Sequence, residues 1–194
     1  MPLTLDQLNE KLREWKGIEI AKTSNPVPGD GSATAEIMFI GEAPGQKEDE
    51  QGKPFVGQAG KLLSELLASI GLQREDIYIT NVVKFRPPEN RDPTPEEKEA
   101  CLPFLKLEIA IIKPRVIVPL GRHALGEFLP KLNITNAHGR PQKVTDGIAL
   151  FPLYHPAAAL HNPGLRETLF EDIQSLKHFL DEQKAKEKST AHAL

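Results

Sequence analysis

The sequence predicts a parallel α/β domain with helices on both faces of its sheet, and three observations carry that prediction. Four short apolar runs of strand length alternate with segments of helical apolar spacing. Turns rich in Gly and Pro separate them. Apolar content of 39% and charged content of 26% over 194 residues are those of one globular domain.

Each element follows from local pattern. Thr4 with Gln7 three residues on forms a capping box, and Leu5, Leu8, Leu12 and Trp15 then keep helical spacing. The turn formers of TSNPVPGDG, residues 23–31, make a loop. EIMFI, 36–40, reads as a buried strand. Leu62, Leu63, Leu66, Leu67 and Ile70 define a helix that stops at Gly71. DIYITNVVKF is the second strand, broken by the prolines of RPPENRDPTP. Thr94, Pro95, Glu96 and Glu97 give a capping Thr, a Pro at the first helical position and a Glu at the third, for a helix reaching about Ile112. RVIVPLG is the third strand, followed by a short helix over 121–128. IALFPLYHP contains the fourth strand. Leu169, Ile173, Leu176 and Leu180 share one face of a last helix over 166–183. Residues 1–184 are therefore expected to form a single domain, with 185–194 a solvated, flexible tail.

Composition excludes several classes. No apolar run approaches the ~20 residues that span a bilayer, so no membrane partner is expected. The N-terminus is amphipathic and mixed in charge, unlike a secretory signal, and a cytoplasmic protein is the expectation. The single cysteine, Cys101, rules out an internal disulfide framework and a multi-thiolate metal site, and no metal is expected. A net charge of -3 weighs mildly against nucleic-acid binding. KFRPPENR is nevertheless a local basic patch, with Lys84, Arg86 and Arg91 close together.

In a parallel sheet, ligands bind beyond the carboxyl ends of the strands. The residues there are GEAPG, TN followed by VVKF, LGRH and YHPAA, which bring Glu42, Asn81 and His155 to one rim. Singly, each has an ordinary structural explanation: a helix cap, a satisfier of loop amides, a structural donor. Placed together on three strand ends, they point to a site. A flat heterocycle suits it. Phe55 can stack on the ring. Asn81 offers an acceptor and two donors in one plane for a base edge. A neutral His155 and the amides of the Pro-Gly turn can donate to an oxygen on which charge develops. Glu42 can hold a water or stabilise a cation. No Ser or Cys stands in a nucleophile elbow, and no dinucleotide glycine fingerprint occurs.

GEAPG with EDEQGKPFVGQAGKLL, then ITNVVKFRPPENRDPTPEE, RVIVPLG and YHPAAALHNP, resemble the family 4 uracil-DNA glycosylases in the same order, over roughly residues 15–180. The resemblance implies a three-layer α/β/α sandwich around a central four-stranded parallel sheet. It implies an enzyme that flips uracil out of DNA and hydrolyses its N-glycosidic bond, the first step of base excision repair. Glu42 resembles the carboxylate that positions water, and His155 the histidine that stabilises the departing uracil. Phe55 resembles the stacking ring and Asn81 the reader of the base edge, with Ala43 and Gly45 in the same base-binding set. Glu48 is similar to a residue that walls off the methyl of thymine. Lys84, Arg86, Arg91, Leu160 and His161 are the DNA-binding candidates, Leu160 as the wedge. Uracil-containing DNA is the implied partner, and a monomer is expected.

Two departures stand out. Typical members hold a four-iron, four-sulfur cluster with four cysteines. Here Trp15, Ile18 and Phe85 occupy three of those positions and only Cys101 remains, so no cofactor is expected and a packed apolar plug is. The motif after His155 is smaller than usual, HPAAALHNP, which suits single-stranded DNA or weaker activity. The alternatives are a glycosylase for another deaminated base such as hypoxanthine or xanthine, a DNA-binding module with weakened catalysis, and a nucleoside hydrolase.

Overall fold

In the computed structural model of the chain, residues 3–143 and 147–191 are described. The elements in order are α1 (Leu5–Glu14), α2 (Ile20–Thr23), β1 (Asp30–Gly31), β2 (Ile37–Gly41), α3 (Gln46–Gln51), α4 (Gln58–Ser69), β3 (Tyr78–Asn81), α5 (Pro95–Ile112), β4 (Val116–Pro119), α6 (Gly121–Phe128), α7 (Ile134–Ala137), β5 (Gln142–Lys143), β6 (Ala149–Leu150), α8 (Pro156–Ala159) and α9 (Pro163–Ala191). The sheet order is β1-β3-β2-β4-β6-β5. The middle strands β3, β2, β4 and β6 are mutually parallel, as expected. The sheet is wider than expected, because β1 and β5 add antiparallel pairs at its two edges. Two residues each are too few to leave a periodic signal, so the sequence shows them only as loop.

Side chains of β2 alternate between two cores, as strand geometry requires. Ile37 and Phe39 join α4 and α9 through Leu62, Leu63, Leu66, Leu169, Ile173 and Leu176. Met38 and Ile40 join Leu12, Cys101, Leu105 and Ile112 of α1 and α5 on the other face. Both capping boxes read from the sequence form: Thr4 with Gln7, and Thr94 with Glu97. Three boundaries differ. The second strand ends at Asn81 rather than Phe85, although Val82 and Val83 still donate to the carbonyls of Gly41 and Glu42 at 2.9 Å each. The stretch after the Pro-Gly turn folds as α3, closed by Gly52 in a left-handed conformation at φ 65°. The last helix runs from Pro163 to Ala191, beyond the expected 166–183 at both ends and into the stretch expected as a flexible tail, because its polar end residues continue the helix without an apolar stripe to mark it; residues 192–194 of that tail lie outside the described residues.

The four positions that the resemblance assigns to cluster ligands share one apolar cluster. The Trp15 ring lies 5.8 Å from Phe85 and 5.4 Å from Phe104, edge-on to the latter. Phe85 and Cys101 are fully buried, and burial pushes the Cys101 thiol up, away from the thiolate. One thiol among packed rings does not fit a cluster that needs four ligands.

Candidate active site

The sheet register sets the rim. Gly41 pairs with Asn81, which leaves the ends of β2 and β3 level, with Glu42 the next residue after Gly41. Glycine is required at 41: a Cβ there would lie 2.4 Å from Asn81 Oδ1 and 2.6 Å from the Phe55 ring. Asn81 and Phe55 thus pack directly over the bare backbone of Gly41.

Phe55 sits between α3 and α4 with φ 54°, a left-handed conformation that a bulky residue adopts only when its surroundings impose it. Three contacts do so. Arg74 donates from Nη1 to the Phe55 carbonyl at 2.9 Å and from Nη2 to the Pro54 carbonyl at 2.8 Å. Gly60 leaves room for the Phe55 carbonyl, which a Cβ would strike at 1.9 Å. Glu48 Oε1 accepts from the amides of Val56 and Gly57, both at 2.8 Å. Glu48 therefore holds the loop that carries Phe55. Glu48→Ala removes two charge-assisted hydrogen bonds; it is expected to cost about 1–3 kcal/mol in urea denaturation and to raise KM more than it lowers kcat.

Asn81 is 2% exposed, and its Oδ1 has no hydrogen-bond partner. A buried acceptor without a donor is costly unless a ligand supplies one. His155 caps α8: its Nδ1 accepts from the Ala157 amide at 3.1 Å. In the neutral ring the proton then sits on Nε2, free to donate. Burial pushes His155 down to about 4, with Glu48 opposing, so the ring is neutral at physiological pH. Its centroid is 5.6 Å from that of Phe55.

Glu42 is half-buried, and burial first and Asp92 second raise its pKa, against Lys98 and Arg122. It lines a cavity of about 240 Å³ with Asp92, Gly121, His123, Tyr154 and His155. Glu42, Asp92 and His123 bring ligand-type atoms within 4.8 Å of one another, and the charge there is met by Arg122, whose Nη2 is 3.1 Å from Asp92. A larger groove of about 800 Å³ lies beyond Phe55, bordered by Lys53, Lys61 and Arg74, and neither Glu42, Asn81 nor His155 lines it. Glu42 and His155 share the smaller cavity, Phe55 borders the larger groove, and Asn81 lines neither.

The family model of the uracil DNA glycosylase superfamily matches residues 28–177. The chain belongs to this superfamily. It is 45% identical over 192 residues to the type-4 uracil-DNA glycosylase of Saccharolobus solfataricus, covering 91% of this chain and 86% of that one. It is 48% identical over 164 residues to the type-4 enzyme of Thermotoga maritima, covering 82% and 85%. The type-5 uracil-DNA glycosylase of Thermus thermophilus is 34% identical over 79% of this chain and 80% of its own.

Within this glycosylase-superfamily fold the basic patch read from KFRPPENR is corrected. Lys84 is 0% exposed and its Nζ lies 2.6 Å from Glu108 Oε2, with Thr80 beside it, so it is a core cation and no DNA contact. Arg91 is committed to Glu97, at 2.9 and 2.7 Å, where it braces the start of α5. Arg86 donates to Asn90 Oδ1 at 2.7 Å. Leu160, 40% exposed, and His161 stand out from the turn after α8, and Ala43 and Gly45 lie in the turn between β2 and α3. Sequence reading missed Asp92, Arg122 and His123. The signal for His123 was its place two residues past the rim glycine of the third strand end.

Proposed function

We propose that the chain is a monofunctional uracil-DNA glycosylase that uses water as its nucleophile and works without an iron-sulfur cluster. The observation that carries this reading is the buried, partnerless Asn81 Oδ1 beside an aromatic ring and a neutral histidine donor. Uracil supplies the missing donor, its ring N–H, and a carbonyl for the Asn81 amide. Cytosine offers an acceptor and an amine instead, which leaves buried groups unpaired. The base stacks on Phe55 once it has left the DNA stack. As the C1′–N1 bond breaks, its electron pair goes to the base. His155 Nε2–H stabilises the charge gathering on O2. A water held by Glu42 adds to C1′ and passes its proton to the Glu42 carboxylate. No lysine is among the residues lining the cavity, so no Schiff base forms and no strand nicking is expected. Leu160 and His161 are the residues that enter the DNA, with a preference for single strands given the small side chains around them. The type-4 relatives support an enzyme directed at uracil-containing DNA, and we place it in the cytoplasm as a monomer.

The test is cleavage of a labelled oligonucleotide holding one uracil, single-stranded or paired with G or A, with alkali to reveal abasic sites. Alkali-labile product from uracil and none from thymine supports the reading. Product only from hypoxanthine or xanthine would reassign the base, and no product from any of them would leave a binding module. The pH profile is a further expectation. Burial pushes His155 down to about 4 and pushes Glu42 up, so the acid limb of kcat is assigned to Glu42. Glu42 must be ionised to hold water, hence activity falls as pH drops through its raised pKa. A limb that persists unchanged in Glu42→Gln would refute this assignment.

A further inference from the structure

We propose that Arg122 binds a phosphate of the DNA at the mouth of the active cavity, beside the flipped nucleotide, and that Asp92 occupies its guanidinium until that phosphate arrives. That the ligand is DNA rests on the glycosylase reading. A nucleotide turned into the cavity that Glu42 and His155 share brings its own phosphates to the rim. A polyanion held there needs a cation. Lys84 and Arg91 do not supply it, since Lys84 is buried on Glu108 and Arg91 is committed to Glu97. Arg122 is the one Lys or Arg among the described residues that line the cavity. Lys98, close by on α5, turns its Nζ to His123 Nδ1 at 3.2 Å and lies 3.9 Å from Glu127.

The fold fixes where Arg122 stands. The Gly121 amide donates to the Leu153 carbonyl at 2.8 Å, two residues before His155. Gly121 has φ 82°, and a Cβ there would lie 3.0 Å from His155 Cβ, so the start of α6 is seated against that histidine. Arg122 is the next residue, and its side chain is 72% exposed. Of the five N–H groups of a guanidinium side chain, Nε donates to His123 Nε2 at 3.1 Å and one on Nη2 donates to Asp92 Oδ2 at 3.1 Å. Three are left without a partner among the described residues. Asp92 comes from the loop before α5 and is 64% exposed. A carboxylate at the entrance to a polyanion's site repels the ligand. It is tolerated there as the counterion of Arg122 in the free protein, and the pairing exchanges readily. An ion pair bathed in water is weak, whereas a phosphate accepts two parallel N–H groups from one guanidinium. Arrival of DNA therefore trades Asp92 for a phosphate on Arg122, and the released carboxylate turns to water.

Affinity is measured by fluorescence anisotropy on a labelled single strand without uracil, over a range of salt, so that no cleavage intervenes. Arg122→Gln is expected to weaken binding about tenfold at low salt, the worth of one charge-assisted contact. It is also expected to flatten the slope of log Kd against log salt by about 0.7, the share of one phosphate. Lys106→Gln removes the same charge from the exposed side of α5 and is expected to change neither quantity. Asp92→Asn is expected to tighten binding about threefold, the worth of one exposed ion pair, and to give no such gain in the Arg122→Gln background. Thermal unfolding establishes the folded fraction of each variant. An unchanged slope in Arg122→Gln, equal losses in Arg122→Gln and Lys106→Gln, or the same gain from Asp92→Asn with and without Arg122 overturns the inference. If the wild type cleaves no uracil at all, the glycosylase reading fails while the binding series still decides the role of Arg122.

Discussion

Asn81→Ala is expected to lower kcat/KM on a uracil oligonucleotide by about 100- to 1,000-fold while leaving the fold nearly as stable. The first half follows from what Asn81 alone can supply, an acceptor and a donor in one plane, fixed at the end of β3 and opposite Gly41. The second half follows from its isolation: Oδ1 has no partner in the protein, so its deletion strands none. Those two results together separate a binding group from a structural one. A structural asparagine would lose stability first and activity as a consequence. Single-turnover cleavage beside thermal unfolding makes the comparison, and a large drop in melting temperature with an unchanged rate per folded molecule would reverse the assignment.

The second large effect concerns the core. Lys84→Met alone is expected to destabilise the protein by about 3–5 kcal/mol, because it leaves the Glu108 carboxylate buried without its cation. That carboxylate also accepts from Tyr78 at 3.2 Å and from Thr80 at 3.1 Å, and two hydroxyls do not neutralise a charge. The double change Lys84→Met with Glu108→Leu is expected to return most of the loss, since apolar groups of similar size can replace a buried pair at little cost. Urea denaturation of the two single variants and the double gives the coupling directly. Additive losses would mean that the two residues act separately. Retained DNA affinity in the folded double variant would follow from the burial of Lys84.

Much of this was legible in the sequence, for reasons that differ by element. The parallel strands show because buried strands are apolar runs with turns at both ends, and the rim follows from topology alone. Asn81 and His155 could be found by position. Lys84 was misread because a basic residue beside Arg86 and two prolines looks like a surface loop. The correcting signal lay elsewhere, on α5, where Glu108 shares the buried stripe of Cys101, Leu105 and Ile112. A carboxylate on an apolar stripe calls for a buried cation, and the nearest candidates include Lys84. The roles of Glu48 and Arg74 were hidden because they are hydrogen bonds across 8 to 20 residues. No local pattern encodes such distances. Phe55 was legible as a ring but not as a strained residue, since backbone conformation is set by what packs around it.

The packing of Trp15 against Phe85 and Phe104 changes what the chain needs from its surroundings. A clasp of metal and thiolate makes maturation wait on iron delivery and leaves the finished protein open to oxidants. A clasp of rings is assembled by the polypeptide as it collapses. It is graded rather than all-or-none, tightening and loosening with temperature as apolar burial does.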